Sequence, residues 1–144
     1  MTGGIESPTI GRARLVWGAL VVSLVLYVVV LVLLLGQPGT AAVTDAATMR
    51  YLFMGLTVAN VAVIFIFRRN LPPSDAGPGR PAPDPQAVFT TYVVCWALSE
   101  AVALYGLVLG LLTRSLDQAQ PFFIVGAALL LWQRPRGEHF AERA

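Results

Sequence analysis

A single carboxylate, Glu100, lies inside the run Ala97–Leu112, ALSEAVALYGLVLGLL, which is otherwise built for hydrocarbon. A charge near the centre of such a run costs roughly 3 kcal/mol on insertion scales, so residues of this kind are rare in membranes and mark proton relays, ion paths or counter-ions. Trp96 and Leu104 lie four residues to either side on the same side of a helix and are expected to screen Glu100 from water. Such burial favours the neutral carboxyl, which still needs hydrogen-bond partners. The polar side chains at comparable depth are Asn60, Ser23 and Tyr27. Asn60 is the preferred partner, as the other strongly polar side chain at the midplane. These four residues form the expected proton- or cation-binding set.

A second pattern runs along the same stretch. Ser99, Ala103, Gly106 and Gly110 recur at spacings of 4, 3 and 4, which keeps them on one helical stripe. Small side chains let another helix approach closely, which is how membrane helices pack when lipid gives no hydrophobic drive. Glu100 borders this stripe, so its carboxyl is expected to point into the helix contact. Leu109 is expected on the lipid side.

The composition narrows the class of protein. Of 144 residues 56% are hydrophobic and only 12% charged, which places the chain among membrane proteins. No lysine occurs, so a Schiff-base or lysine-nucleophile mechanism is excluded. One cysteine, Cys95, and one histidine, His139, provide neither an intramolecular disulfide nor a His/Cys metal cluster. There is no GxSxG, P-loop, GxGxxG or CxxC motif, so neither an enzyme nor a cofactor is expected. The arginines are scattered at segment ends without interleaved aromatics, which argues against nucleic acid as a partner.

Four apolar segments must hold these residues, over about 15–36, 50–68, 88–113 and 117–134, with a Pro/Gly-rich loop at 69–87 that reads as an exposed tether. The first is too long for a signal-peptide core and reads as a retained anchor. The apolar part of the fourth, Pro121–Gln133, reaches only about 20 Å at 1.5 Å per residue, so that helix is expected to begin at Asp117 as N-cap, with Pro121 in its first turn. Arg12, Arg14, Arg68, Arg69, Arg80, Arg134, Arg136 and Arg143 fall on one side of such a chain, and only Arg50 and Arg114 on the other. The positive-inside rule then gives a multi-pass protein of the inner (plasma) membrane with both termini in the cytoplasm. Trp17, Trp132 and Tyr92 would lie near the cytoplasmic interface and Tyr51 near the outer one. The expected fold class is all-α, an integral membrane four-helix bundle, N-in and C-in, forming one domain.

The stretch ALSEAVALYGLV, Ala97–Val108, resembles the carboxylate helix of the rotary ATP synthase c subunit, the rotor-ring proteolipid, where a Glu is followed at similar spacing by an aromatic, a Gly and aliphatics. As in that family, the helix follows a cytoplasmic polar loop and runs outward. The resemblance implies that Glu100 binds a proton or cation and that the second and third helices form the hairpin. It covers about a dozen residues. The second helix offers only Gly55, Thr57 and Ala59 where the family has an alternating glycine run, the loop is longer, and two further helices flank the hairpin. Three roles are therefore expected: proton or cation handling through Glu100, a non-catalytic structural or accessory subunit of a membrane complex, or a small multidrug-type exchanger. The expected partners are the lipid bilayer and either further copies of the chain or a membrane complex.

Overall fold

The computed structural model describes residues 8–39, 45–70 and 84–135. The loop from 71 to 83, with Arg80, and the tail carrying Arg136, His139 and Arg143 lie outside the described residues. The described residues form four helices, α1 (Pro8–Leu35), α2 (Ala46–Arg69), α3 (Pro85–Thr113) and α4 (Leu116–Trp132), and no strand. The first two start several residues before their apolar runs, because a helix continues past the hydrocarbon for as long as its backbone can be capped. Asp45 caps α2, accepting from the Thr48 amide at 3.3 Å, and Asp84 caps α3, accepting from the Gln86 amide at 3.0 Å.

Helices α1, α2 and α3 are each long and apolar enough to cross a membrane. Their exteriors agree with that solvent. Val22, Val25, Leu26, Val29 and Leu33 of α1 are all exposed, as are Leu52, Val58, Phe65 and Ile66 of α2, an outer surface that water would not tolerate over such an area. Helix α4, with 17 residues, reaches about 26 Å. Its N-cap lies two residues earlier than the sequence suggested. Ser115 and not Asp117 occupies the N-cap position, Asp117 lies in the first turn, and Pro121 is inside the helix.

Helix α3 is the hub. It packs against α1, α2 and α4, most extensively against α4. Two apolar clusters hold α1 to it. One joins Ile10 and Ala13 to Val88, Tyr92 and Trp96, and the other joins Leu31 to Ala103, Ala119 and Phe123. Glu100 falls between them.

The helix C-termini leave carbonyls without intrahelical donors, and side chains from other helices supply what is missing. The Arg114 guanidinium donates to the carbonyls of Leu35, at 3.3 Å, and Gln37 at the end of α1. Trp17 Nε1 donates to the Leu130 carbonyl and Trp96 Nε1 to the Gln133 carbonyl at the end of α4, both at 2.9 Å. Arg114 also makes the reversal between α3 and α4, in the left-handed region at φ 51°. A residue with a Cβ pays about 1 kcal/mol there relative to glycine, and here its side chain is needed as the clasp on α1.

Candidate functional site

Glu100 sits at the middle of α3, half-buried, and faces α1. Ser23 and Tyr27, four residues apart on α1 and therefore one above the other, both reach it. The Tyr27 hydroxyl donates to Glu100 Oε1 at 2.7 Å, and the Ser23 hydroxyl lies within hydrogen-bond range of the same oxygen. Ser23 Oγ also lies 3.2 Å from the Leu20 carbonyl of its own helix. A serine has one proton to donate and two acceptors within range. When the carboxyl is ionised, Ser23 and Tyr27 can both donate to Oε1. When it is protonated, it can donate to Ser23 Oγ while the serine proton turns to Leu20. Either arrangement keeps these oxygens paired, avoiding the roughly 1–3 kcal/mol cost of an unsatisfied buried polar group.

Asn60, the preferred partner from sequence, does not reach Glu100. Its Nδ2 donates to the Leu98 carbonyl and the Tyr105 hydroxyl, each at 3.4 Å. Leu98 and Tyr105 share one face of α3, which at 100° per residue lies on roughly the opposite side from Glu100. Helix α2 packs on that face, with Phe53 stacked on Tyr105 at 5.5 Å between ring centroids. Asn60 therefore ties α2 to α3, while Ser23 and Tyr27 tie α1. The expected screen around Glu100 is also one-sided. Trp96 is fully buried and its indole is turned to Gln133, whereas Leu104 is 38% exposed.

The small-residue stripe faces α4. A Cβ on Gly106 would lie 2.8 Å from Phe122 Cβ and 2.9 Å from the Ala119 carbonyl oxygen, and one on Gly110 would lie 2.9 Å from Ala119 Cβ and 2.7 Å from Leu31 Cδ2. From the other side, a Cβ on Gly126 would lie 3.1 Å from the Ser99 carbonyl and 3.2 Å from Ala103 Cβ. Glu100 itself points towards α1 and away from this contact. Leu109, expected towards lipid, is fully buried.

One polar residue escaped the sequence reading. Gln133 is 1% exposed, and its Nε2 donates to Ser99 Oγ at 3.1 Å, while Ser99 donates to the Cys95 carbonyl at 2.9 Å. The signal was its spacing: Gly126, Leu130 and Gln133 recur at 4 and 3, which continues the α4 face that meets the stripe. At the same end, Phe65 of α2 meets Trp132 at 5.5 Å and the Arg68 guanidinium lies 4.2 Å from the Trp132 ring centroid.

No family model, curated protein or solved structure matches the chain. The site must therefore be read from its own geometry.

Proposed function

We propose that this chain is a multi-pass protein of the cell's inner (plasma) membrane, with both termini cytoplasmic, that takes up and releases a proton at Glu100. The observation that carries the reading is the three-oxygen set at mid-helix, Glu100 Oε1 with Ser23 and Tyr27, in which the serine has acceptors for both protonation states. The similarity of Ala97–Val108 to the proteolipid carboxylate helix supports the same assignment. One turn along α3, Leu104 is 38% exposed, which leaves that flank of Glu100 uncovered by other helices.

A second reading makes Glu100 the pin that holds α1 on α3 in a non-catalytic accessory subunit. It is favoured by the same two hydroxyl bonds, which join helices far apart in sequence. Glu100→Gln separates the two, since glutamine keeps size and hydrogen bonding but cannot exchange a proton. In proteoliposomes under an imposed potential, proton flux in wild type that Glu100→Gln abolishes, with the melting temperature unchanged, supports proton handling. Equal flux in both proteins, or none in wild type, leaves Glu100 as a structural pin.

A further inference from the structure

Helices α2 and α4 both pack on α3, but on faces about 120° apart at 100° per residue: Leu98 and Tyr105 meet α2, and Ser99, Ala103, Gly106 and Gly110 meet α4. With packed pairs at 8–10 Å, this sets the α2 and α4 axes roughly 15 Å apart, too far for direct contact along their length. The wedge between them is a slot of about 190 Å³. Met54, Thr57 and Val58 of α2 line one wall, and Pro121, Phe122 and Val125 of α4 the other. The slot presents no polar group, since the Thr57 hydroxyl donates to its own helix at the Phe53 carbonyl, 2.8 Å away, leaving the methyl to the slot. Arg50 stands at its mouth, exposed, and among the described residues makes no ion pair. About 10 Å beyond Val58 and Val125, Phe65, Trp132 and Arg68 bridge α2 to α4.

An apolar slot, open along one side, with one cation at its end has the polarity of an amphiphile with an anionic head and a single narrow tail. The volume sets the scale. It falls below the roughly 300–1,000 Å³ of sites for drug-sized ligands and is close to the roughly 150 Å³ apolar cavity that holds a benzene, so a few methylene groups fill it. We propose that the slot seats one acyl chain of an anionic phospholipid whose phosphate pairs with Arg50. The inference requires the bundle to stand in a bilayer, and it is independent of any role for Glu100.

Native mass spectrometry of the full chain, released from mixed phosphatidylglycerol and phosphatidylcholine micelles, tests it. Wild type should retain one phosphatidylglycerol per chain in preference to phosphatidylcholine. Val58→Trp should fill the slot and cut retention at least tenfold, and Val125→Phe gives a second filler should the first not fold. Arg50→Gln should keep a tail in place but lower the preference for phosphatidylglycerol about fivefold, the worth of one basic side chain at an anionic surface. Val25→Trp, on the exposed face of α1, should change nothing. Equal retention of the two lipids by wild type, or full retention by folded Val58→Trp and Val125→Phe, overturns the proposal. So does a dimer that retains no lipid and is broken by the same fillers, which would identify a second copy as the occupant. A folded chain recovered without detergent removes the bilayer itself.

Discussion

Replacing Gly106 with alanine adds one methyl where α3 and α4 lie backbone to backbone. The new Cβ would lie 2.8 Å from Phe122 Cβ and 2.9 Å from the Ala119 carbonyl oxygen, against the 3.5–4.0 Å at which carbon contacts are favourable. Neither obstacle is the end of a flexible side chain, so relief requires α3 and α4 to separate along their shared face. Overpacking of this kind costs about 1–3 kcal/mol, and the immobile carbonyl argues for the upper end. Alanine returns about 1 kcal/mol of helix propensity. The net loss is then about 2 kcal/mol, roughly a thirtyfold fall in the folded-to-unfolded ratio. Gly55 on α2 is the internal control, since a Cβ there meets nothing within 4 Å and Gly55→Ala should gain up to about 1 kcal/mol. The two variants should differ by about 3 kcal/mol in a reversible unfolding titration with a denaturing detergent, followed by tryptophan fluorescence. A Gly106→Ala protein as stable as Gly55→Ala would refute the close α3–α4 contact.

Two further variants test the ties to α3. At Arg114, both Ala and Gly remove the clasp on α1, but only Ala keeps a Cβ at φ 51°, so Arg114→Gly should exceed Arg114→Ala by about 1 kcal/mol in the same titration. Asn60→Leu removes two long hydrogen bonds of 3.4 Å, so it should cost less than about 1 kcal/mol, and hydrophobic carbodiimide labelling of Glu100 should proceed as in wild type because α1 holds the carboxyl.

The apolar runs located all four helices, and the spacing of Ser99, Ala103, Gly106 and Gly110 gave the face on which α4 packs. Level along the bundle was also legible, since counting residues along a helix gives height. Azimuth was not. Asn60, Ser23 and Tyr27 share the level of Glu100, yet which of them meets it depends on whether α1 or α2 occupies a given flank of α3, and the sequence of one helix does not encode its neighbours. Leu109 was misread for the same reason, because an apolar side chain suits lipid and protein alike when both are oil. The start of α4 was missed because Asp117 and Ser115 are both good N-cap residue types, and the two-residue reversal after Thr113 leaves Ser115 as the residue before the helix. Gln133 was hidden by its place just past the apolar run, where a polar residue normally meets headgroups.

The Arg114 clasp bears on the order in which the bundle can be assembled. Helix α1 is the first to leave the ribosome, yet the donors and acceptors that hold it, Arg114 at its C-terminus, Glu100 at its centre and Leu130 opposite Trp17, belong to the last two helices made. Helices α3 and α4, joined by two residues and meshed through glycine, can close on each other as soon as both are made. For much of synthesis α1 must therefore wait for these partners, with Ser23 bonded to its own helix and Tyr27 without its carboxylate. A chain stopped before residue 114 would carry α1 with neither its latch nor the α4 surface it rests on.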